Sequence, residues 1–256
     1  MARLAVRCAL AVAVLVVTAL ALASHARAQS PSLLGSLYTE AEQCKAGKLG
    51  NPPCLRSNVK EENVVLQDRE KTKPRACLIV PTMPVTGIED PQTLSVAHVR
   101  NIFELGWGWR DTCFKNAPAP GKGKAEPDDW AGMAINSEAV RSQNQLHVHL
   151  SCLAPAVRTL VWSASPGFHA NDWKATVVIN HHTWHARKLT SLQQAQSPFA
   201  LVQSQASKNK KDDNYIGWHS LVVIGTKTGA FFLLDGYREN GHNAVGEAML
   251  DETCTH

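Results

Sequence analysis

His147-Val148-His149-Leu150-Ser151, preceded by Arg141-Ser142-Gln143-Asn144-Gln145-Leu146 and followed by Cys152, is the stretch on which the reading of this chain turns. His147, His149 and Ser151 fall at one parity, and Leu146, Val148, Leu150 and Cys152 at the other. A β-strand repeats every two residues, so this spacing predicts a strand over residues 146–153. Its apolar set packs in a core, and two imidazoles and a hydroxyl share the opposite face, toward a cleft.

Three readings of a His-x-His pair on a strand compete. The rings are structural, or they chelate a metal such as zinc, or one of them is a nucleophile. Chelation needs further ligands; His181, His182, His185 and His219 are available, but no Asp, Glu or Cys flanks His147 with ligand spacing. A histidine near its ordinary pKa of about 6.5 is mostly neutral at pH 7 and able to attack phosphorus, forming a phosphoramidate. Amide side chains such as Gln143, Asn144 and Gln145 donate to phosphoryl oxygens without adding charge. The nucleophilic reading is therefore carried forward.

Residues 1–28 have the form of a targeting segment. Arg3 and Arg7 precede an apolar run from Cys8 to Ala23, interrupted by Thr18, and Ala26-Arg27-Ala28 offers a cleavage site. The run is shorter than the roughly 20 residues a spanning helix prefers. It is read as an export signal which, uncleaved, leaves a single inner-membrane anchor with the remainder outside the cytoplasm. Residues 29–256 are expected to form a single exported hydrolase domain. The net charge of +4 resides mostly in the segment, since removing Arg3, Arg7 and Arg27 leaves 23 basic against 22 acidic residues. Nothing in that balance supports nucleic-acid binding. Cys44, Cys54, Cys77, Cys113, Cys152 and Cys254 remain beyond the segment, an even number that fits three disulfides in an oxidising compartment. Cys44 with Cys54 is the easiest bridge by sequence, and Cys254 is placed to tie down the C-terminus.

Helix is expected over 31–43 and from Leu94 to Trp109. Strands are expected at 63–67, 76–80, 131–135, 146–153, 176–179, 221–224 and 230–234, the last two as a hairpin around Lys227-Thr228-Gly229. No repeat is detectable, and the lack of regular βαβ alternation favours an antiparallel α+β architecture. Asn180-His181-His182-Thr183-Trp184-His185 contains His-x-x-x-His without the glutamate of a metalloprotease motif, and its histidines are read as surface or packing residues, with a substrate-facing role for His182 or Arg187 as the alternative. Gly121-Lys122-Gly123-Lys124 lacks P-loop spacing and reads as a solvated turn. Trp107-Gly108-Trp109 reads as core or interface.

The segment around His147 resembles the histidine-triad motif, His-apolar-His-apolar-His, with Ser151 in the last triad position. The wider pattern is similar to the bacterial CDP-diacylglycerol pyrophosphatase family. It comprises Ala134-Ile135-Asn136-Ser137, Arg141 through Cys152, Leu78-Ile79-Val80-Pro81-Thr82, Thr86-Gly87-Ile88-Glu89, Ser197-Pro198-Phe199 and Asp251-Glu252-Thr253-Cys254. The resemblance implies a histidine-triad-like α+β fold, an antiparallel sheet with packed helices extended by a second β-rich half. It implies cleavage of CDP-diacylglycerol to CMP and phosphatidate at an inner-membrane surface, without metal or cofactor. His149 maps onto the nucleophile and His147 onto the residue that orients it. Ser151 maps onto the position that stabilises the phosphoryl group or helps protonate the leaving oxygen. Asn136, Gln143, Asn144 and Gln145 are then the expected ligands of phosphoryl oxygens. The rival readings are a periplasmic metal-binding protein using the His pair, and the same chemistry on soluble nucleotides.

Overall fold

The computed structural model describes residues 35–58, 60, 62–70, 72–116, 126–193, 197–207 and 215–254. The targeting segment expected over 1–28 lies outside these, as do the turn at 121–124 and the whole of the charged run at 208–213. Among the described residues no helix is long and apolar enough to cross a membrane.

The architecture is α+β, built on one antiparallel ten-stranded sheet. Helix α1 (Ser36–Lys45) leads into edge strand β1 (Cys54–Asn58), then the hairpin β2 (Asn63–Gln67) and β3 (Cys77–Pro81). Four short helices follow: α2 (Gln92–Ser95), α3 (Ala97–Arg100), α4 (Ile102–Gly108) and α5 (Arg110–Asn116). Next come β4 (Ala131–Ile135) and β5 (Val148–Leu153). After helix α6 (Pro155–Ala164), the pattern recurs as β6 (Ala175–Ile179), β7 (His182–Leu189), helix α7 (Pro198–Ala206), β8 (Ser220–Gly225) and β9 (Phe231–Gly236). Strand β10 (Leu250–Asp251) is the last in sequence among the described residues.

The strand order β1-β2-β3-β5-β4-β8-β9-β7-β6 contains a repeat that the sequence hides. Each half is a hairpin, a helical connection and a second hairpin, and the halves meet where β4 pairs with β8, Met133 opposite Val223. Topology is shared while the residues are not, so no sequence period reveals it.

Leu146, Val148, Leu150 and Cys152 enter the larger core, with Ile79, Phe103, Met133, Val223 and Phe199. His149 lies on the other face, its cross-strand partners Ala134 and Leu78 belonging to the two smaller clusters. The period-two reading of this strand therefore holds. The expected helix from Leu94 to Trp109 is broken into pieces. Val96 adopts an extended conformation between α2 and α3, as a β-branched residue readily does, and Asn101 is a poor helix interior residue. Trp109 is buried in the core, and the Trp107 ring packs edge-on against Phe231 at 5.1 Å.

Strand β7 was not expected. Its turn, Asn180-His181, has φ of 53° and 65°, the left-handed pair of a two-residue hairpin loop. Trp184 and Ala186 then alternate inward. His181 is thus a turn residue. His185 stacks on Tyr237 at 5.9 Å, three strands from β4, and contributes nothing near His149.

Three disulfides join Cys44–Cys54, Cys77–Cys113 and Cys152–Cys254. The first and last match the expected local bridge and tied-down terminus. Cys152–Cys254 spans 102 residues, and loop-closure entropy of that size corresponds to roughly 4–5 kcal/mol. Replacing Cys254 by Ser should lower the urea midpoint by the equivalent of several kcal/mol. An unchanged midpoint would show that the terminal strand is held by other contacts.

Candidate active site

Strand β5 is fixed on one edge by β3, with Leu78 opposite His149, and on the other by β4, with Ala134 opposite His149. Beyond the end of β3, the same edge receives β10, where Asp251 pairs with Cys152. Residues 246–251 reach this position by crossing the sheet beside Ala134. A Cβ on Gly246 would come 3.0 Å from the Ile135 carbonyl oxygen, so the backbone runs close over β4. This crossing carries Glu247, Leu250 and Glu252 to the face that holds His149.

The two imidazoles lie with ring centroids 4.8 Å apart, each buried. His147 Nδ1 is 2.7 Å from the Gln145 carbonyl oxygen. Only a protonated nitrogen donates to a carbonyl, so Nε2 carries the lone pair. Among the described residues neither nitrogen of His149 has a hydrogen-bond partner, although Nδ1 faces Glu247 Oε1 at 3.4 Å. Burial lowers the pKa of both rings, and each His149 charge would also be repelled by His147. The attraction of Glu247 opposes this without overcoming it. Both rings are therefore neutral near pH 7.

Glu247 belongs to a small polar cluster. Asn136 Nδ2 donates to Glu247 Oε2 and its Oδ1 accepts from the Glu247 backbone N–H, both at 3.1 Å. The Lys73 ammonium contacts Glu247 Oε1 at 2.5 Å and Glu252 Oε1 at 3.3 Å. Burial works against ionising Glu247, but the Lys73 ammonium and hydrogen bonds from Lys73 and Glu252 hold the group below the usual carboxylate range, and His149 would add to this only when charged. For Glu252, burial and a hydrogen bond with Glu247 push the pKa up to about 7 against the pull of Lys73. Burial also disfavours the Lys73 ammonium, yet its carboxylate neighbours raise it above an ordinary lysine. Donor atoms of His149, Glu247 and Glu252 lie within 4.8 Å of one another, a set able to hold a cation. The cation paired with both carboxylates is the Lys73 ammonium.

The predicted ligands divide. Asn136 and Gln145 line a small cleft with His147, Arg141, Thr86 and Gly87. Arg141 is nearly buried there, bonded to Glu89 at 2.8 Å and Asn144 Oδ1 at 3.1 Å. A Cβ on Gly87 would lie 2.1 Å from its guanidinium. Gln145 is a loop staple, donating to the Pro81 and Met83 carbonyls at 2.9 Å. Gln143 is turned away: its Oε1 accepts from the Leu37 N–H at 2.8 Å, satisfying the start of α1. Ser151 shares the parity of the histidines but is fully buried. Its Oγ is 3.1 Å from the carbonyl oxygens of both Arg75 and Asp251, at the seam between β3 and β10. Its hydroxyl proton is thus engaged by backbone rather than offered to the cleft.

Sequence reading missed Lys73, Glu247 and Glu252, which no local spacing links to the histidines. The one available signal was Cys254: pairing it with Cys152 would have carried Glu252 to β5.

The family profile described as CDP-diacylglycerol pyrophosphatase matches residues 39–256. The chain is similar to a CDP-diacylglycerol pyrophosphatase of Yersinia pestis, 31% identical over 206 residues that cover 79% of this chain and 75% of the relative. Among solved structures it is similar to yeast Ap4A phosphorylase, with a TM-score of 0.41 and 15% identity over 73% of this chain and 59% of that one. The same enzyme in complex with AMP gives a TM-score of 0.40 and 12% identity over 76% of this chain and 63% of that one.

Two rings with lowered pKa make stability depend on pH with a definite sign. The unfolded chain takes up protons near the ordinary value of 6.5 while the folded rings do not. Stability should therefore fall as pH drops below 6.5, by up to about 1.4 kcal/mol per pH unit for each ring. Urea unfolding between pH 7.5 and 5 measures the slope. NMR spectra with imidazolium signals for His147 and His149 at pH 6 would contradict the neutral assignment.

Proposed function

We propose, for a chain that belongs to the CDP-diacylglycerol pyrophosphatase family, that it hydrolyses the pyrophosphate of CDP-diacylglycerol to CMP and phosphatidate through a nucleotidyl-His149 intermediate. The observation that carries the covalent step is the state of His149: buried, neutral, and without a hydrogen bond on either nitrogen among the described residues. An unsatisfied buried nitrogen costs about 1–3 kcal/mol, which substrate binding can recover. Glu247 beside Nδ1 favours the tautomer with a proton there, leaving Nε2 to attack. As the P–N bond forms, the ring gains positive charge, and the Glu247 carboxylate stabilises it in a buried setting.

His147 holds its own ring by the bond to Gln145 and packs against His149, restricting the nucleophile. Two cations flank the pair, Arg141 at the His147 end and Lys73 at the His149 end, and both suit a pyrophosphate. Asn136 positions Glu247 and borders the cleft. Three disulfides support a site of action in an oxidising compartment, in keeping with an exported domain at the outer face of the inner membrane.

Incubation with CDP-diacylglycerol labelled in the cytidine-bound phosphate should give an acid-labile adduct on His149. His149→Ala should lose at least about 10³-fold in turnover. Activity of that variant within a few fold of wild type would end the assignment. Exhaustive chelation should leave the wild-type rate unchanged, and stoichiometric zinc with loss of activity on its removal would favour a metal site instead.

A further inference from the structure

We propose that the Glu252 carboxyl carries the proton of the reaction, filling the role that the motif would give to Ser151. The inference rests on His149 being the nucleophile. Ser151 is fully buried and engaged by the Arg75 and Asp251 carbonyls, so the third position of the motif has no group left to deliver a proton. Glu252 lies one residue beyond Asp251, and donor atoms of Glu252, Glu247 and His149 fall within 4.8 Å of one another. Glu252 therefore lies beside the ring that would carry the phosphorus, and a water can span from its carboxyl to the oxygens of a group on Nε2. Its side chain keeps 17% of its surface exposed against 8% for His149, so it is the more open to water of the two. Its backbone is pinned, because the Arg75 N–H donates to the Glu252 carbonyl at 2.9 Å and Cys254 is bonded to Cys152.

Two adjacent carboxyls cannot both ionise without cost, and their surroundings separate their roles. Glu247 faces His149 from the 3-10 turn Glu247–Met249 and bonds Lys73, which comes from the β2–β3 connection. Glu252 meets Lys73 at a longer 3.3 Å and hydrogen-bonds Glu247, with Asp68 acting on the group through Lys73. Glu247 is thus the carboxylate and Glu252 the acid, with a pKa of about 7 that suits proton transfer in both directions.

In the first step the His149 Nε2 lone pair forms a bond to the cytidine-bound phosphorus, and the bond from that phosphorus to the bridging oxygen breaks. The bridging oxygen leaves on phosphatidate with the electron pair and takes the Glu252 proton. In the second step Glu252, now a carboxylate, removes a proton from water as its oxygen bonds phosphorus. The P–N electrons return to Nε2, CMP departs, and the acid is regenerated.

The test compares wild type, Glu252→Gln and Glu252→Asp with two substrates. These are CDP-diacylglycerol in mixed micelles and the p-nitrophenyl ester of CMP, whose leaving group needs no proton. Glu252→Gln should lose about 10²-fold or more on CDP-diacylglycerol. With the nitrophenyl ester it should still release nitrophenolate in a first turnover near the wild-type rate, and labelled nucleotide should accumulate on His149. In the wild-type enzyme, turnover of CDP-diacylglycerol should fall as pH rises through about 7, while the nitrophenolate burst should not. That comparison needs no variant. Glu252→Asp should keep the pH dependence at a reduced rate. Turnover of CDP-diacylglycerol by Glu252→Gln within threefold of wild type, or the same pH profile for both leaving groups in wild type, overturns the proposal. A wild-type enzyme that never labels His149 overturns the nucleophile itself, a failure visible before any Glu252 variant is made.

Discussion

A buried imidazole facing a carboxylate that already has a cation organises this molecule. His149 could have formed a full ion pair with Glu247, which would fix it as imidazolium and remove its lone pair. Lys73 prevents that by bonding the same carboxylate oxygen more closely, 2.5 Å against 3.4 Å. The carboxylate is then largely compensated, burial decides the state of the ring, and the ring stays neutral. The carboxylate remains near enough to act once charge develops on the ring. Nucleophile, counter-charge and cation are supplied by β5, the chain end and the β2–β3 connection, so the arrangement exists only when the sheet is assembled.

The doubled topology explains where such a site has room. Both halves present a second-hairpin strand, β5 in one and β9 in the other, and both strands have a face away from the larger core. On β9 that face carries Phe232 and Leu234 in an apolar cluster. The Phe232 ring packs against Trp162 and Phe168 at 5.4 and 5.1 Å. On β5 the corresponding face carries His147 and His149, with the polar residues Asn136, Glu247, Lys73 and Glu252 gathered around them. One half is closed by packing and the other left open for chemistry.

What could be read from sequence follows from how local each signal is. The alternation through Leu146 to Cys152, the β8–β9 hairpin and the strand at Ala131–Ile135 rest on neighbours in sequence, and all three stand in the structure. Strand β7 carries the same period, with Trp184 and Ala186 inward, but the histidines around Trp184 leave it little apolar signature. Edge strand β1 is polar, Cys-Leu-Arg-Ser-Asn, and pairs along a single partner strand, so it leaves little hydrophobic signature. In the site, the histidines were legible because a strand sets their parity. Gln143 and Ser151 had suitable chemistry at suitable spacing, yet the start of α1 and the seam of β10 engaged them, and neither contact is encoded nearby. Glu247, Glu252 and Lys73 join through pairings that only the assembled sheet defines.

The chain end joins this chemistry to a disulfide. Glu252 sits two residues before Cys254, whose partner Cys152 lies three residues after His149 on one strand. Strand β10 contributes two paired residues, a ladder too short to hold a chain terminus by itself. The disulfide closes a long loop and adds to the Asn136 bonds and the Arg75 N–H that hold the carboxyl pair beside the nucleophile. The bond that closes the longest disulfide loop of the fold therefore also bears on the site.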